Sequence, residues 1–459
     1  MKLWNIIWIG VVLVCGVGCS DFLDVQPKDK QSEEQLFSTR GGFYTAVNGI
    51  YNKVASTALY GKNLSYELVD VISKRYAPLQ SNTYLTALST FDYTEASVQT
   101  GLSNTWTEAY NTILNCNVVL DNLEKSDGVL LPAEYRMLKG EMLALRAFLH
   151  FDMLRLFGPV YKLHPEMESI PYNESSRVSA LPLLTADSVL HEKILRDLDE
   201  AERMLADSDP VIEGGRMASQ EGDEDVYLRY RQLRMNYYAV LGLKARICLY
   251  AKDVTAAYGA ANEVILAQQQ KGLFPWVKTA DITTTEANLR DRTFSSEHLF
   301  AFNTTKLEEY IKGYFREASL PLMERLMPGE LYEADDYRTA LYETYSGFAN
   351  VLTKFWQMDK AYVQGQGYVT PKRNRMPAIR IAEMYYIAAE ALKESNIGEA
   401  LEMLNTLRVH RGLMKLENLD KDQLQEELGR EYYREFIGEG QVFFYHKRMN
   451  TSIIATANA

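Results

Sequence analysis

Two apolar stripes separated by a short polar break organise residues 377–412, which read PAIRIAEMYYIAAEALKESNIGEALEMLNTLRVHRG. In the first stripe Ile381, Met384, Ala388, Ala391 and Leu392 fall at i, i+3, i+7, i+10 and i+11, one face of an α-helix. Ser395, Asn396, Ile397 and Gly398 then break the period with turn formers. The second stripe runs through Ala400, Leu401, Leu404 and Leu407, and Gly412 supplies a C-terminal stop. The pattern predicts an αα-hairpin. Its small residues, Ala382, Ala388, Ala389, Ala391 and Ala400, let the two helices approach closely. Such hairpins bury their apolar faces by stacking on copies of themselves.

The same grammar recurs over 141–158 and 236–267, where helical periods flank tight turns. It predicts a tetratricopeptide-like scaffold over about 32–270 and 377–449. Upstream, Ser32-Glu33-Glu34-Gln35 reads as a cap with an acidic first turn, and Leu36, Phe43, Val47, Ile50 and Tyr51 continue at helical spacing. A second helix is expected at about 65–74. Residues 75–103 hold no sustained period and mix Pro, Ser, Thr and Asn with Tyr76, Tyr84, Phe91 and Tyr93. They predict a long ordered loop, a usual place for binding. Helical spacing resumes at Trp106 and Tyr110, and again after Thr185 or Asp187.

A loop-rich lobe is expected from about 271 to 376. Within it EHLFAFNT and VLTKFWQM alternate as strands do. The fold class is therefore mostly α: helical-hairpin repeats interrupted by a lobe with short strands. The closing helix, KDQLQEELGREYYREF, places Glu427, Arg430, Glu431, Arg434 and Glu435 at opposite-charge i,i+3 and i,i+4 spacings.

The N-terminus departs from this scheme. Met1-Lys2 precedes LWNIIWIGVVLVCGVG, about a dozen apolar residues followed by small ones. That predicts a secretory signal peptide over 1–18, too short to span a membrane comfortably. Cys19 follows Gly16-Val17-Gly18, which resembles a bacterial lipobox with Gly16 where a Leu-like residue is usual. Cys19 is expected to carry the lipid anchor. Of the remaining cysteines, Cys116 and Cys248 lie in helical patterns and read as small buried residues. Pairing between them in an oxidising compartment stays open.

Composition narrows function more than fold. The 459-residue chain is 47% hydrophobic with a net charge of −12, a poor match for nucleic acid or an anionic membrane face. There is no G-x-S-x-G, P-loop, H-E-x-x-H or helix-opening G-x-G-x-x-G. Glu221, Asp223, Glu224 and Asp225 lack the spacing of an EF-hand and read as a solvated loop, with a bound Ca²⁺ as the alternative reading. No cofactor or metal is expected, and binding is the function class that remains.

MPAIRIAEMYYIAAEAL, then LNTLRVHRG, then REYYREFIGEGQVFFYHKRM closely resembles the C-terminal signature of SusD/RagB-type outer-membrane nutrient-binding lipoproteins. RAFLHFDMLRLFG and the W-x-x-x-Y helix at Trp106 resemble the same family. Relatives usually continue beyond TSIIATANA to a Pro-rich segment, so this sequence is expected to be either cut or a short member. The resemblance implies one SusD-like domain over 19–459 that is no enzyme. It implies an anchor in the outer membrane of a Gram-negative bacterium of the Bacteroidota type, exposed at the cell surface. The implied partner is a SusC-type TonB-dependent transporter, and the implied cargo is glycan. Oligopeptide, a pure transporter adaptor and a surface glycosidase are the alternatives. In that family, loops from the regions around 75–103 and 272–316 build the ligand site. By resemblance the expected ligand contacts are Asp70, Arg75, Tyr76, Tyr93, Trp276, Tyr310 and Tyr314. Aromatic rings cover the apolar faces of sugars while polar side chains bond their hydroxyls.

Overall fold

The computed structural model describes residues 32–77, 82–215, 226–316, 322, 326–345, 347–359, 361–363, 367–369 and 372–451. The expected signal peptide, Cys19 and the acidic stretch 221–225 lie outside these residues.

The chain opens with α1 (Glu33–Phe37), α2 (Arg40–Val54), α3 (Leu68–Ile72) and α4 (Thr83–Ser89). The cap expected at Ser32 is present and is a full capping box, with Ser32 and Gln35 bonding each other's backbone. Three long helices follow: α5 (Ala96–Leu123), α6 (Pro132–Phe157) and α7 (Leu195–Ala206), the last entered through a π-helical turn over Ser188–Ile194. Then come α8 (Tyr237–Tyr250) and α9 (Val254–Lys271).

The lobe contains β1 (His298–Asn303), α10 (Leu307–Ile311), β2 (Tyr342–Tyr345), β3 (Phe348–Leu352), β4 (Ala361–Val363), β5 (Gly367–Val369) and β6 (Arg375–Arg380). The chain closes with α11 (Ile381–Leu392), α12 (Ile397–His410), α13 (Lys421–Glu435) and α14 (Gln441–Met449).

The predicted hairpin at 377–412 is α11 and α12, and Asn396 caps the second helix by accepting from Glu399 N at 3.2 Å. The scaffold is a run of neighbouring helix pairs: α5 on α6, α6 on α7, α8 on α9, α9 on α11 and α11 on α12. Helix α6 lies at its centre. Its first turn takes Pro132, whose missing N–H costs nothing there, and Glu134 returns to bond Leu131 N at 3.0 Å. From Met137 onward it is buried on nearly every side, so its charged residues must find partners inside. Glu141 accepts from Tyr51, Tyr227 and Arg231. Arg146 pairs with Asp197 at 2.6 Å, and Asp152 accepts from Tyr60 at 2.7 Å. His150 stacks on Tyr172 with ring centroids 3.8 Å apart and bonds through both ring nitrogens, a packing role. Burial lowers its pKa to about 3, so it stays neutral. Cys116 and Cys248 are buried free thiols.

Two expectations need correction. Residues 75–103 are not one long loop, because α4 and the first two turns of α5 lie within them. Asn82 caps α4 by accepting from Leu85 N at 3.0 Å, and Glu95 caps α5 through Ser97 N. VLTKFWQM is strand only at its start, where β3 ends at Leu352. Thr353–Met358 continues as a buried irregular segment.

The lobe is sewn to the repeats at its base. Strand β1 pairs antiparallel with β6, His298 opposite Arg380 and Phe302 opposite Met376, and β6 runs straight into α11. Beneath this pair lies a buried ionic network. Arg411 bonds Glu297 at 2.8 and 2.7 Å and Glu435 at 3.0 and 2.7 Å. Arg338 reaches Glu431 at 2.8 Å and Glu435 at 2.9 Å, and Arg380 reaches Glu435 at 2.5 Å and Glu439 at 3.0 Å. The charge pairs expected along α13 are therefore only part of its role. Arg434 does pair with Glu431 at 2.7 Å, but Glu431 and Glu435 chiefly join α13 to the lobe and to α12. Although burial opposes ionisation, Arg338 and Arg434 hold Glu431 down at about 2.

Candidate ligand-binding cleft

Between α2 and α3 the chain winds through tight turns, with Gly61 N bonded to Ser56 O at 2.8 Å and Leu64 N to Leu59 O at 2.9 Å. Tyr60, Leu64 and Tyr66 point inward and are buried. That anchoring leaves Lys62, Asn63 and Glu67 along one edge. Tyr84 of α4 and Ser97, Thr100, Gly101 and Asn104 of α5 form the opposite wall, and the walls enclose a cleft of about 480 Å³. Gly101 makes room for the aromatic ring: a Cβ there would lie 3.1 Å from the Tyr84 hydroxyl and 3.2 Å from its ring.

The lobe completes the cleft's edge. Helix α10 continues as a π-helical turn over Lys312–Arg316, which carries Tyr314. The Tyr314 hydroxyl donates to the Glu67 carboxylate. Lys62 Nζ lies 2.9 Å from Glu67 Oε1 and 3.4 Å from the Tyr314 oxygen. The Tyr314 ring meets the buried Tyr66 edge-on at 5.4 Å. Burial first, and the Glu67 charge second, push the Tyr84 and Tyr314 phenols well up, so both remain neutral near pH 7.

This arrangement offers an aromatic ring, amides, hydroxyls, one ammonium and one carboxylate around a pocket open to solvent. It can hold a polyhydroxylated ligand through many modest hydrogen bonds. Glu67 is the one carboxylate among the lining residues.

The sequence-predicted contacts scatter. Tyr314 reaches the cleft, and half-buried Tyr310 lies one turn before it. Tyr93 is 48% exposed in the turn between α4 and α5. Asp70, Arg75 and Tyr76 are buried beneath the cleft wall, a correction to their expected exposure. Asp70 accepts from Gly438 N at 2.8 Å and lies 3.3 Å from Arg75 Nε. Arg75 donates to Tyr433 O at 3.0 Å, and Tyr76 to Tyr66 O at 3.0 Å. These side chains hold the cleft segment to the C-terminal helices. Trp276 is half-buried elsewhere, against Tyr385 and stacked on His410 at 4.8 Å. Lys62 and Glu67 were not singled out by the sequence, and Tyr84 was named only as one aromatic of the 75–103 segment. Glu67 and Tyr314 meet across 247 residues, and no local pattern signals such a meeting.

Comparison with known proteins bears on the same chain. A family model described as "Starch-binding associating with outer membrane" matches residues 21–214, and one described as "SusD family" matches 276–453. SusD-like protein P2 of Formosa agariphila is 24% identical over 470 residues, covering 93% of this chain and 86% of that protein. SusD-like protein P25 of the same organism is 26% identical over 227 residues, covering 47% of this chain but 40% of P25. In structure, a SusD-like carbohydrate binding protein from Bacteroides vulgatus superposes with a TM-score of 0.69 at 22% identity, covering 90% of this chain and 84% of that one.

Proposed function

Because the chain belongs to the SusD/RagB family, we propose that it is a non-enzymatic glycan-binding protein of an outer membrane. Cys19 anchors it by lipid at the cell surface. It captures oligo- or polysaccharide and passes it to a SusC-type TonB-dependent transporter.

The observation that carries the glycan reading is the 480 Å³ cleft, in which Tyr84 stands among Lys62, Asn63, Glu67 and Asn104 beside Tyr314. Rings beside a dense set of donors and acceptors match the two-sided chemistry of a pyranose. The name of the B. vulgatus structure and the starch-binding description of the N-terminal match support the same class.

Affinity electrophoresis of the protein lacking residues 1–19 tests this. The panel is plant, host and microbial polysaccharides, with calorimetry on mixed oligopeptides as a separate arm. Retardation by a glycan class, lost in Tyr84→Ala, supports the reading. Peptide binding without glycan binding overturns it in favour of an oligopeptide receptor. Binding of neither leaves a transporter adaptor.

A further inference from the structure

A second cavity lies in the lobe, away from the residues lining the cleft. Arg290, Arg292, Lys354, Gln357, Lys372 and Arg375 are among the residues that surround a narrow space of about 10 Å³. Its wall carries five cations and no carboxylate, on a chain whose net charge is −12.

The cations are unequally compensated. Arg290 and Arg292 share one carboxylate oxygen of Glu343, at 2.9 and 2.8 Å. Lys354 is buried against Glu439 at 2.5 Å and Ile437 O at 2.9 Å. Among the described residues, Arg375 and Lys372 have no carboxylate within 4 Å and no side-chain hydrogen bond. Asp291 and the Tyr230 phenol act on the Arg375 guanidinium only through space. Burial depresses the pKa of both Arg375 and Arg292, which marks a place where positive charge is poorly solvated. A half-buried guanidinium without a partner loses hydration that an oxyanion can replace, through two parallel N–H···O bonds.

We propose that this pocket binds one oxyanion group, a carboxylate or sulfate such as an acidic sugar carries, with Arg375 as the principal donor and Lys372 at the mouth. The space admits about one water-sized group. One oxygen of the oxyanion enters it, while the rest of the group stays at the mouth beside Lys372 and a sugar ring stays outside. The pocket is tied to the cleft by one helical segment. Gln357 N bonds Glu308 of α10 at 3.2 Å, and six residues on, Tyr314 reaches the cleft. At about 1.5 Å per residue the two positions are roughly 9 Å apart along the axis. That the anion arrives on a glycan rests on the proposed function, whereas the anion site itself does not.

The test is calorimetric titration of the full mature chain at constant ionic strength with sodium sulfate, sodium glucuronate and a hexagalacturonate. Wild type is compared with Arg375→Gln and Lys372→Gln, and Tyr84→Ala serves as the cleft control. Circular dichroism confirms folding, and exposed Lys372 keeps the test valid if Arg375→Gln does not fold. Binding to wild type that weakens at least fivefold in the Lys372 variant, and at least tenfold in a folded Arg375 variant, supports the site. Its survival in Tyr84→Ala separates it from the cleft. Sulfate binding without either sugar acid supports an anion site filled by a free inorganic ion and overturns the acidic-sugar source. No binding of any of the three, or equal binding by wild type and variants, overturns the proposal.

Discussion

Asp70, on the short helix below the cleft wall, accepts a hydrogen bond at 2.8 Å from the backbone N–H of Gly438, 368 residues further on. The bond ties the start of the fold to its last helical pair, and Asp70 is wholly buried beside Arg75. Burial is the largest influence on its carboxyl and raises its pKa from 3.8 to about 6, against the pull of Arg75 and Gly438 N–H.

A stability dependence on pH follows. Between about pH 4 and 6 the folded chain keeps a proton on Asp70 that the unfolded chain has released. This group's contribution is therefore most favourable below its ordinary pKa, falls as pH rises through 6, and is flat above. The span is roughly 3 kcal/mol. Asp70→Asn removes this slope. In denaturant unfolding, the variant gains on wild type by about that amount between pH 4 and 7. A difference that does not change with pH contradicts this assignment.

Gly440 joins the same two ends of the chain by shape. Its φ is +72°, and a Cβ there would lie 2.4 Å from Leu64 O and 2.6 Å from a Val69 methyl. Gly440→Ala is expected to destabilise by about 2–3 kcal/mol or more, because backbone strain adds to the clash. Thermal unfolding measures it. Gly41→Ala, where a Cβ meets nothing within 4 Å, is the control.

Glu435 accepts from Arg338, Arg380 and Arg411 at once. Glu435→Gln leaves three buried guanidinium groups short of charge and is expected to cost about 3–5 kcal/mol in urea unfolding. Glu431 adds a dependence of the opposite sign to that of Asp70. Its pKa is held at about 2, so its stabilisation is complete above its ordinary value of 4.5 and is lost as pH falls toward 2.

Tyr314→Phe removes the hydroxyl that donates to Glu67, while Lys62 still holds that carboxylate at 2.9 Å. The fold is expected to change by no more than about 1 kcal/mol, and affinity for a cleft ligand to fall roughly three- to tenfold. Calorimetry with the glycan found by electrophoresis measures the second effect.

The scaffold was legible because its apolar stripes repeat at 3.6 residues, and the hairpin at 377–412 falls where its stripes place it. Helix α4 and the start of α5 were illegible because Ser- and Thr-rich turns there are held by caps at Asn82 and Glu95 rather than by an apolar period. The i,i+3 charge pairs read along α13 are present, Arg430 with Glu427 and Arg434 with Glu431, but the spacing alone does not show that most of these residues are buried. The further partners of Glu431 and Glu435, namely Arg338, Arg380 and Arg411, come from distant segments. Asp70 and Arg75, expected as ligand contacts through resemblance to the family, are buried with partners among the C-terminal helices. Tyr314 was found through resemblance to the family and Tyr84 lay in the segment read as a place for binding, whereas Lys62 and Glu67 required the folded structure.

The most direct test is a crystal structure of the mature chain with the oligosaccharide that electrophoresis identifies. The account predicts sugar density in the cleft, in contact with Tyr84, Lys62 and Asn104 and bordered by Tyr314. Density seated instead against Trp276 and His410, or anywhere that leaves Tyr84 untouched, would contradict it.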